Sequence, residues 1–206
     1  MPIPANHTHL WFIPHDLVFP GIPPLSEAEL DRANRFLTPK DQKRYLTTQT
    51  ALRQILAQYL HTDPTTLAFE TNPFGKPSLA PPHQHLHFNL SHAHDLSLLA
   101  LATHPLGIDL EPSSRDLTDL ASSILHPNEQ ANSLNLLKLW TAKEAYLKAL
   151  GQGLQIDPKN VFIDLEANTA STPNYPTLSI QQIPHPTHTI HLSPAATTIK
   201  TQTYQP

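Results

Sequence analysis

Proline places the strongest restriction on how this chain can fold. Of its 206 residues, 22 are Pro and only 5 are Gly. Because Pro removes a backbone donor and fixes φ, it is excluded from the interior of helices and of central strands. We therefore expect Pro-rich loops between the regular elements, with Pro14 ending a first strand and Pro39 lying at the first position of a helix.

Two segments are predicted to form long helices. The capping box at 26–29 predicts a short helix up to Leu37, and the residues at 38–39 then begin a longer helix that continues to His61. Apolar residues recur in that helix at the spacing of one buried stripe. The second long helix is predicted over 133–150.

Apolar and β-branched runs predict strands in much of the remaining chain. They include three neighbours with short connections, HLHFNLSH (85–92), LSLLALAT (96–103) and LGIDLEP (106–112). The stretch 167–188 is rich in Thr, Pro and His and is expected to be loop-rich, with a strand candidate in it at TLSIQQI (177–183). Short connections favour antiparallel neighbours.

Each half of the chain thus offers one long helix and about three strands. The predicted fold class is α/β (α+β), with two similar subdomains side by side, each a small, mainly antiparallel sheet packed on a long helix. The expected division gives an N-terminal subdomain, 1–106, and a C-terminal subdomain, 107–206.

Composition excludes several classes of protein. The formal net charge of -4 argues against bulk nucleic-acid binding, which favours a basic excess. No apolar run reaches the roughly 20 residues of a membrane span, and the N-terminus lacks the basic region of a signal peptide. The absence of Cys excludes disulfides and thiolate chemistry. We expect a cytoplasmic protein without a nucleic-acid or membrane partner.

A pair of carboxylates is the first candidate site. Asp109 and Glu111 lie two residues apart on a predicted strand, so both side chains point to one face. Side by side they repel unless a cation or a proton lies between them, and carboxylate oxygens suit Mg²⁺. A D-x-E pattern alone is most often a solvated strand face.

Three further patterns carry weaker signals when each is taken alone. Glu144 and Lys148, in WTAKEAYLKALGQGL, have the spacing of a helical ion pair worth a few tenths of a kcal/mol. In HFNLSH a strand runs into a polar turn, where Ser91 and His92 could hold phosphate oxygens. In FGKP, Lys76 puts a cation on a turn.

Read in order, GKP, FNLSH, GIDLE and WTAKEAYLKALGQGL resemble the motifs of the 4'-phosphopantetheinyl transferase family, in its long, pseudo-dimeric type. The resemblance is close over 75–155 and looser over the helix at 39–60. It implies transfer of the phosphopantetheine arm of coenzyme A to a serine of an apo carrier protein, with release of 3',5'-ADP. The carrier would be an acyl, polyketide or peptidyl carrier protein, and the enzyme would be a monomer with an internal pseudo-twofold.

The resemblance also implies roles for individual residues. The positions that match magnesium ligands are Asp109, Glu111 and Glu144. The positions implied in catalysis are Glu129, Glu144 and Lys148. The positions implied in holding coenzyme A are Arg44, Lys76, Ser91, His92 and Lys148. Which carboxylate accepts the serine proton stays open between Glu129 and Glu144.

A histidine-based metal site is a competing hypothesis. His83, His85 and His87 alternate, so that three imidazoles share one strand face, with His92 and His94 close behind. Imidazole clusters suit Zn, Cu or Ni. The chain is rich in His throughout, however, and such a module leaves the D-x-E and W-x-x-K-E patterns unexplained.

Two other classes share the acidic residues. A Mg²⁺-dependent phosphatase or nucleotidase could use the same carboxylates. A non-catalytic binder of carrier proteins could have the same fold, although the chain keeps every acidic position of the motifs. The product, a modified protein or free phosphate, distinguishes these classes.

Overall fold

The computed structural model describes residues 2–21, 23–129 and 133–206. Within them lie four α-helices, none of which is long and apolar enough to cross a membrane: α1 (Glu27–Asn34), α2 (Pro39–Leu60), α3 (Ala121–Ile124) and α4 (Ser133–Leu150). The strands are β1 (His7–Pro14), β2 (Phe69–Thr71), β3 (Pro77–Leu79), β4 (His87–His92), β5 (Leu96–Ala102), β6 (Gly107–Pro112), β7 (Phe162–Asp164), β8 (Thr169–Ser171), β9 (Leu178–Ser179), β10 (Gln181–Ile183), β11 (His188–Ser193) and β12 (Thr198–Thr203). The predicted mixture of α and β structure is confirmed.

The first two helices begin where the sequence predicts, because side chains accept hydrogen bonds from their N-terminal N–H groups. The Ser26 hydroxyl accepts from the Glu29 N–H, and the Glu29 carboxylate accepts in return from the Ser26 N–H. Thr38 caps α2, with Pro39 at its start. Helix α1 ends at Asn34, before the predicted end, since the chain must become extended at the Thr38 cap.

Two sheets carry most of the fold. The first sheet has the strand order β12-β1-β5-β4, and the second has the order β10-β11-β6. All neighbours are antiparallel except β1 and β12, which run parallel, so the expectation of mainly antiparallel sheets is confirmed. The last strand of the chain thus lies beside the first. The division into subdomains at 106/107 stays a prediction.

The two sheets pack face to face, and each long helix covers an outer face. One core lies between α2 and the first sheet, where Ile55 of the helix belongs to the same cluster as Leu99 of β5. A second core lies between the sheets and includes Leu98 of β5 and Ile190 of β11. Helix α4 packs on β6 and β11 from the other side. Successive residues of β5 therefore face different cores, as strand alternation requires.

Two short strands were not expected from the sequence. Strand β8 lies inside the stretch 167–188 that we expected to be loop-rich, and β3 begins at Pro77, in a segment expected to turn. Each has three residues, too few for an apolar alternation to be recognised. Strand β8 pairs with β7 and β9, and β3 pairs with β2. These pairings stabilise strands that the local sequence does not predict.

Candidate active site

Strand β6 and helix α4 approach each other closely, and Gly107 makes this possible. A Cβ atom at Gly107 would lie 2.0 Å from the carbonyl oxygen of Ala145 and 2.3 Å from the backbone nitrogen of Ala149. Any other residue would force the strand and the helix apart. The close approach brings Asp109 of β6 to Lys148 of α4.

Asp109 is the centre of the site. Its side chain is buried, and Oδ1 accepts hydrogen bonds from the Ser91 hydroxyl at 2.8 Å and from the Lys148 ammonium at 2.7 Å. Lys148 also donates to the Ser91 hydroxyl at 3.0 Å. Three residues predicted from three separate motifs are therefore in direct contact. Oδ2 of Asp109 is buried and has no hydrogen-bond partner among the described residues.

Two further carboxylates, Glu144 and Glu111, add negative charge to the region around Asp109. Burial raises the pKa of the Glu144 carboxyl; the charges of Asp109 and Glu111 raise it further, whereas that of Lys148 lowers it. Glu111 forms an ion pair with Arg115, four residues further along the chain. The three carboxylates predicted as magnesium ligands thus share one electrostatic environment.

The donor set fits a hard divalent cation. Mg²⁺ takes carboxylate oxygens, and Oδ2 of Asp109 is a buried carboxylate oxygen that no described residue contacts through a hydrogen bond. Within the described ranges, no three His, Asp or Glu side chains are already arranged around one metal position. Glu111 and Glu144 would therefore have to converge on the cation together with Asp109.

A cleft of about 540 Å³ reaches β4, the strand that also carries Ser91. Its walls come from α2 and from the segments around β2, β3 and β4, and include Arg44, Tyr45, Gly75 and His92. Arg44 pairs with Asp41 at 3.1 Å. The pKa of His92, an exposed residue of the cleft wall, is lowered, first by partial loss of solvation of the ring and then by the charges of Arg44 and Lys148. Lys148 thus acts electrostatically on a residue of the cleft wall.

Lys76 is engaged elsewhere in the structure. Its ammonium donates to the carbonyl oxygens of Leu106 at 2.9 Å and of Lys148 at 2.6 Å. Burial lowers the pKa of Lys76 to about 8. The neighbouring turn is tied to the end of α4 as well, since Asn72 donates to the Gly151 carbonyl at 2.7 Å. Lys76 therefore joins the β2–β3 turn to β6 and α4.

Glu129 is held in a different set of contacts. Its carboxylate pairs with the fully buried Lys143 at 2.7 Å, and it accepts from the backbone N–H groups of His126 and Ile163. Lys143 also donates to the Ile124 carbonyl at 2.6 Å. These contacts join the loop before α4 to β7. None of the hydrogen bonds or ion pairs of the described residues connects Glu129 with Asp109, Glu111 or Glu144.

The histidines of the predicted run are not grouped around one position in the part of the chain that the structure describes. The rings of His83 and His85 lie 6.4 Å apart between centroids, and His87 is half-buried on β4. Nowhere in 2–21, 23–129 or 133–206 are three potential ligands grouped around a metal position. The structure gives the imidazole hypothesis no support.

Two residues of the site were not predicted from the sequence. Gly107 and Asn89 stand inside the GIDLE and FNLSH motifs, which indicate no role for either residue. Asn89 is buried on β4 and accepts a hydrogen bond from the Ile108 N–H at 2.8 Å. Its position two residues before Ser91, on the same strand face, is the signal that could have indicated this contact.

Comparison with known proteins places these motifs in one family. Residues 105–200 match the 4'-phosphopantetheinyl transferase superfamily, and residues 21–104 match the 4'-phosphopantetheinyl transferase N-terminal family. The chain is similar to the 4'-phosphopantetheinyl transferase HetI of Nostoc sp. (strain PCC 7120), with 38% identity over 73% of this chain and 71% of that protein.

Two further relatives match over shorter shares. The chain is 33% identical to the 4'-phosphopantetheinyl transferase gsp of Aneurinibacillus migulanus, over 63% of this chain and 57% of that protein. It is 26% identical to the 4'-phosphopantetheinyl transferase Sfp of Bacillus subtilis (strain 168), over 64% of this chain and 62% of that protein. The match therefore spans less than two thirds of these two relatives. With both family matches and the HetI relative agreeing, the chain belongs to the 4'-phosphopantetheinyl transferase family.

Proposed function

We propose that this chain transfers the 4'-phosphopantetheine arm of coenzyme A to a serine of an apo carrier protein and releases 3',5'-ADP. The observation that carries the proposal is the contact of Ser91, Asp109 and Lys148. There the ammonium binds one carboxylate oxygen of Asp109, and the other oxygen has no hydrogen-bond partner among the described residues. Phosphoryl-type transfer depends mainly on positioning and on stabilising developing charge. The family to which the chain belongs supports this reaction.

We propose that Asp109, Glu111 and Glu144 hold one Mg²⁺. The raised pKa of Glu144 supports this, because a cation between the carboxylates would relieve the repulsion that contributes to it. Bound Mg²⁺ would supply charge neutralisation at the pyrophosphate. Glu111 would then exchange or share its ion pair with Arg115.

The proposed coenzyme A site runs along the cleft to this cluster. Arg44 and His92 line the cleft and would face the phosphate groups of the ligand. Beyond the cleft wall, the Lys148 ammonium donates to the Ser91 hydroxyl, and Lys148 would stabilise the leaving phosphate there. Lys76 would act by holding the turn that carries Gly75, a residue of the cleft wall, since its ammonium is bound to backbone carbonyls.

The chemical step joins the carrier serine oxygen to the phosphorus next to the pantetheine arm. The bond from that phosphorus to the bridging oxygen breaks, and 3',5'-ADP leaves with the electron pair. The serine proton passes to a carboxylate, directly or through water. The charges of Asp109, Lys148 and Glu111 all act on Glu144, so Glu144 belongs to the cluster where the pyrophosphate would lie, and this supports Glu144 as the acceptor. Glu129 is the weaker candidate, because Lys143 and two backbone N–H groups already occupy its oxygens.

The partners follow from the reaction. We propose an acyl, polyketide or peptidyl carrier protein as acceptor and the cytoplasm as the compartment. We further propose that a single chain is the working unit, with an internal pseudo-twofold relating its halves. The serine substrate would approach from the side of Asp109 and Glu144, where the pyrophosphate would lie.

Incubation with coenzyme A, Mg²⁺ and a panel of apo carrier proteins tests the proposal. Intact mass should show the gain of one phosphopantetheine group on a carrier, and a chelator should abolish the gain. Release of inorganic phosphate without a change in carrier mass would favour the phosphatase hypothesis. Complex formation without any mass change would favour the non-catalytic binder.

A further inference from the structure

Strand β6 carries Asp109, and it lies at the edge of the second sheet. One side of β6 pairs with β11, whereas the other side faces β4 of the first sheet without a strand ladder between them. Buried backbone N–H and C=O groups at such an edge need other partners. How they are satisfied decides where the Asp109 carboxylate lies.

Side chains take the place of the missing strand. The Asn89 amide oxygen accepts from the Ile108 N–H at 2.8 Å. On the same residue, the Ile108 carbonyl accepts from the Lys148 ammonium at 3.3 Å. The residue immediately before Asp109 is therefore anchored through both of its backbone polar groups.

Asn89 and Ser91 both connect β4 of the first sheet to β6 of the second sheet by side-chain hydrogen bonds. Both are buried, and both point from β4 towards β6, because they are two residues apart on a strand. Asn89 binds the backbone of Ile108, and Ser91 binds the side chain of Asp109 at 2.8 Å. The pair fixes both the main chain and the carboxylate of this segment.

We propose that Asn89 is a positioning residue of the transfer reaction. Its amide oxygen holds the Ile108 N–H and thereby sets the place of the Asp109 carboxylate relative to Lys148 and Glu144. This inference rests on the proposed function, since it assumes that Asp109 binds the cation. Ligand geometry must be held within about 0.5 Å for a site to work, so an anchor one residue away is decisive.

Two variants with the same number of side-chain heavy atoms as Asn separate the acceptor oxygen from the bulk of the side chain. Asn89→Leu removes the oxygen, whereas Asn89→Asp keeps an oxygen at the same position. Ile13→Val is the matched control, because it removes one methyl group from the core between α2 and the first sheet, away from β6. Each protein is prepared as the full chain with ¹⁵N label.

Two measurements besides transfer report on the anchor. Amide hydrogen exchange of Ile108 reports on its hydrogen bond, with the amide of Leu99, in the central strand β5, as the reference for global opening. Free Mn²⁺ measured by electron paramagnetic resonance gives the metal affinity. In Asn89→Leu we expect faster exchange at Ile108 relative to Leu99, about 10–100-fold weaker Mn²⁺ binding and a fall in kcat. Asn89→Asp should keep slow exchange and bind Mn²⁺ at least as tightly as the wild type.

The outcomes distinguish the two proposals. Wild-type Mn²⁺ affinity and slow Ile108 exchange in Asn89→Leu would overturn the role of Asn89 alone. Equal losses in Ile13→Val would also overturn it, since general destabilisation would then explain the effect. A wild-type chain that binds no Mn²⁺ and modifies no carrier would overturn the proposed function and the inference together.

Discussion

At the scale of single residues, the site between β6 and α4 combines one ammonium group with three carboxylates. The ammonium of Lys148 lies 2.7 Å from Asp109, but Glu144 and Glu111 add negative charge to the same region. Burial weakens the solvation of the ionised Glu144 carboxylate, and its like-charged neighbours add repulsion. One ammonium offsets this only in part, so we expect the metal-free protein to be less stable than it would be without the charge of Glu144.

Glu144→Gln should therefore stabilise the metal-free protein near pH 8. The pKa of Glu144 is raised in the folded state, so ionisation destabilises the fold at neutral and alkaline pH, and the penalty is lost as pH falls through the folded and then the unfolded pKa. Thermal melts in chelator at pH 8 and near pH 3 measure this, with about 2–4 °C expected per kcal/mol. The gain should appear at pH 8 only.

Glu70→Gln is the control, because Glu70 is an exposed carboxylate on β2. It should leave the melting temperature nearly unchanged at both pH values. A lower melting temperature of Glu144→Gln at pH 8 would mean that the carboxylate stabilises the fold, and the repulsion argument would then be wrong.

Glu129 should behave as a structural residue. Glu129→Gln leaves the fully buried ammonium of Lys143 without its anionic partner, and breaking a buried pair costs about 3–5 kcal/mol. We expect a large drop in unfolding free energy in urea, but retained transfer per folded molecule well below the melting temperature. A folded Glu129→Gln protein that has lost transfer by orders of magnitude would instead identify Glu129 as catalytic.

At the scale of secondary-structure elements, the site depends on how tightly α4 packs on the second sheet. Gly107 allows β6 to approach the helix, and the Thr141 hydroxyl contacts the His191 ring of β11 at 2.7 Å. The strand that carries Asp109 and the helix that carries Lys148 are thereby held at hydrogen-bonding distance. Both contacts can be tested without changing a charged residue of the site.

Gly107→Ala should separate β6 from α4. Its Cβ would lie 2.0 Å from the Ala145 carbonyl, and backbone atoms cannot move aside as a flexible side chain can. We expect the unfolding free energy to fall by about 1–3 kcal/mol or more, together with a loss of transfer in the molecules that fold. Denaturant titration measures the first effect. Wild-type stability of Gly107→Ala would refute the close approach of strand and helix.

His191 should make the packing of β11 on α4 sensitive to acid. Burial lowers the pKa of His191 to about 4, well below its ordinary value. Between about pH 6.5 and 4 the unfolded chain therefore binds a proton that the folded chain does not, so stability falls with pH, by at most about 3 kcal/mol. Between pH 7 and pH 4.5, the unfolding free energy of His191→Asn should fall by fewer kcal/mol than that of the wild type, as measured by denaturant titration at both pH values. An equal loss in both proteins would contradict the assignment.

At the scale of the whole molecule, the sequence predicts the elements better than their arrangement. The long helices were predictable because capping residues and apolar stripes are local signals, as Thr38 and Pro39 illustrate at the start of α2. The pairing of β12 with β1 was not, because strand order depends on contacts between distant segments that no local pattern records. Strand β8 was not predicted because its three residues are too few to show an alternation of apolar and polar side chains.

The same distinction holds for the site. Strand alternation indicated that Asp109 and Glu111 share a face. The family motifs indicated that Ser91 and Lys148 belong to the same site as these two carboxylates. The distances that unite Ser91, Asp109 and Lys148 depend on the packing of two sheets and a helix, which residue spacing does not encode. The engagement of Lys76 with backbone carbonyls is likewise a tertiary contact that a turn motif cannot indicate.

The central claim is that the carboxylates between β6 and α4 bind the cation that supports transfer. The most direct test is the rate of carrier modification over a Mg²⁺ series, for the wild type and for Asp109→Asn, with circular dichroism to establish folding. We expect the wild-type rate to rise with Mg²⁺ to a plateau. Asp109→Asn should stay folded, and its rate should be lower than that of the wild type by at least about a hundredfold, since metal charge stabilisation is worth several kcal/mol. A folded Asp109→Asn protein with the wild-type rate and the wild-type dependence on Mg²⁺ would contradict the account.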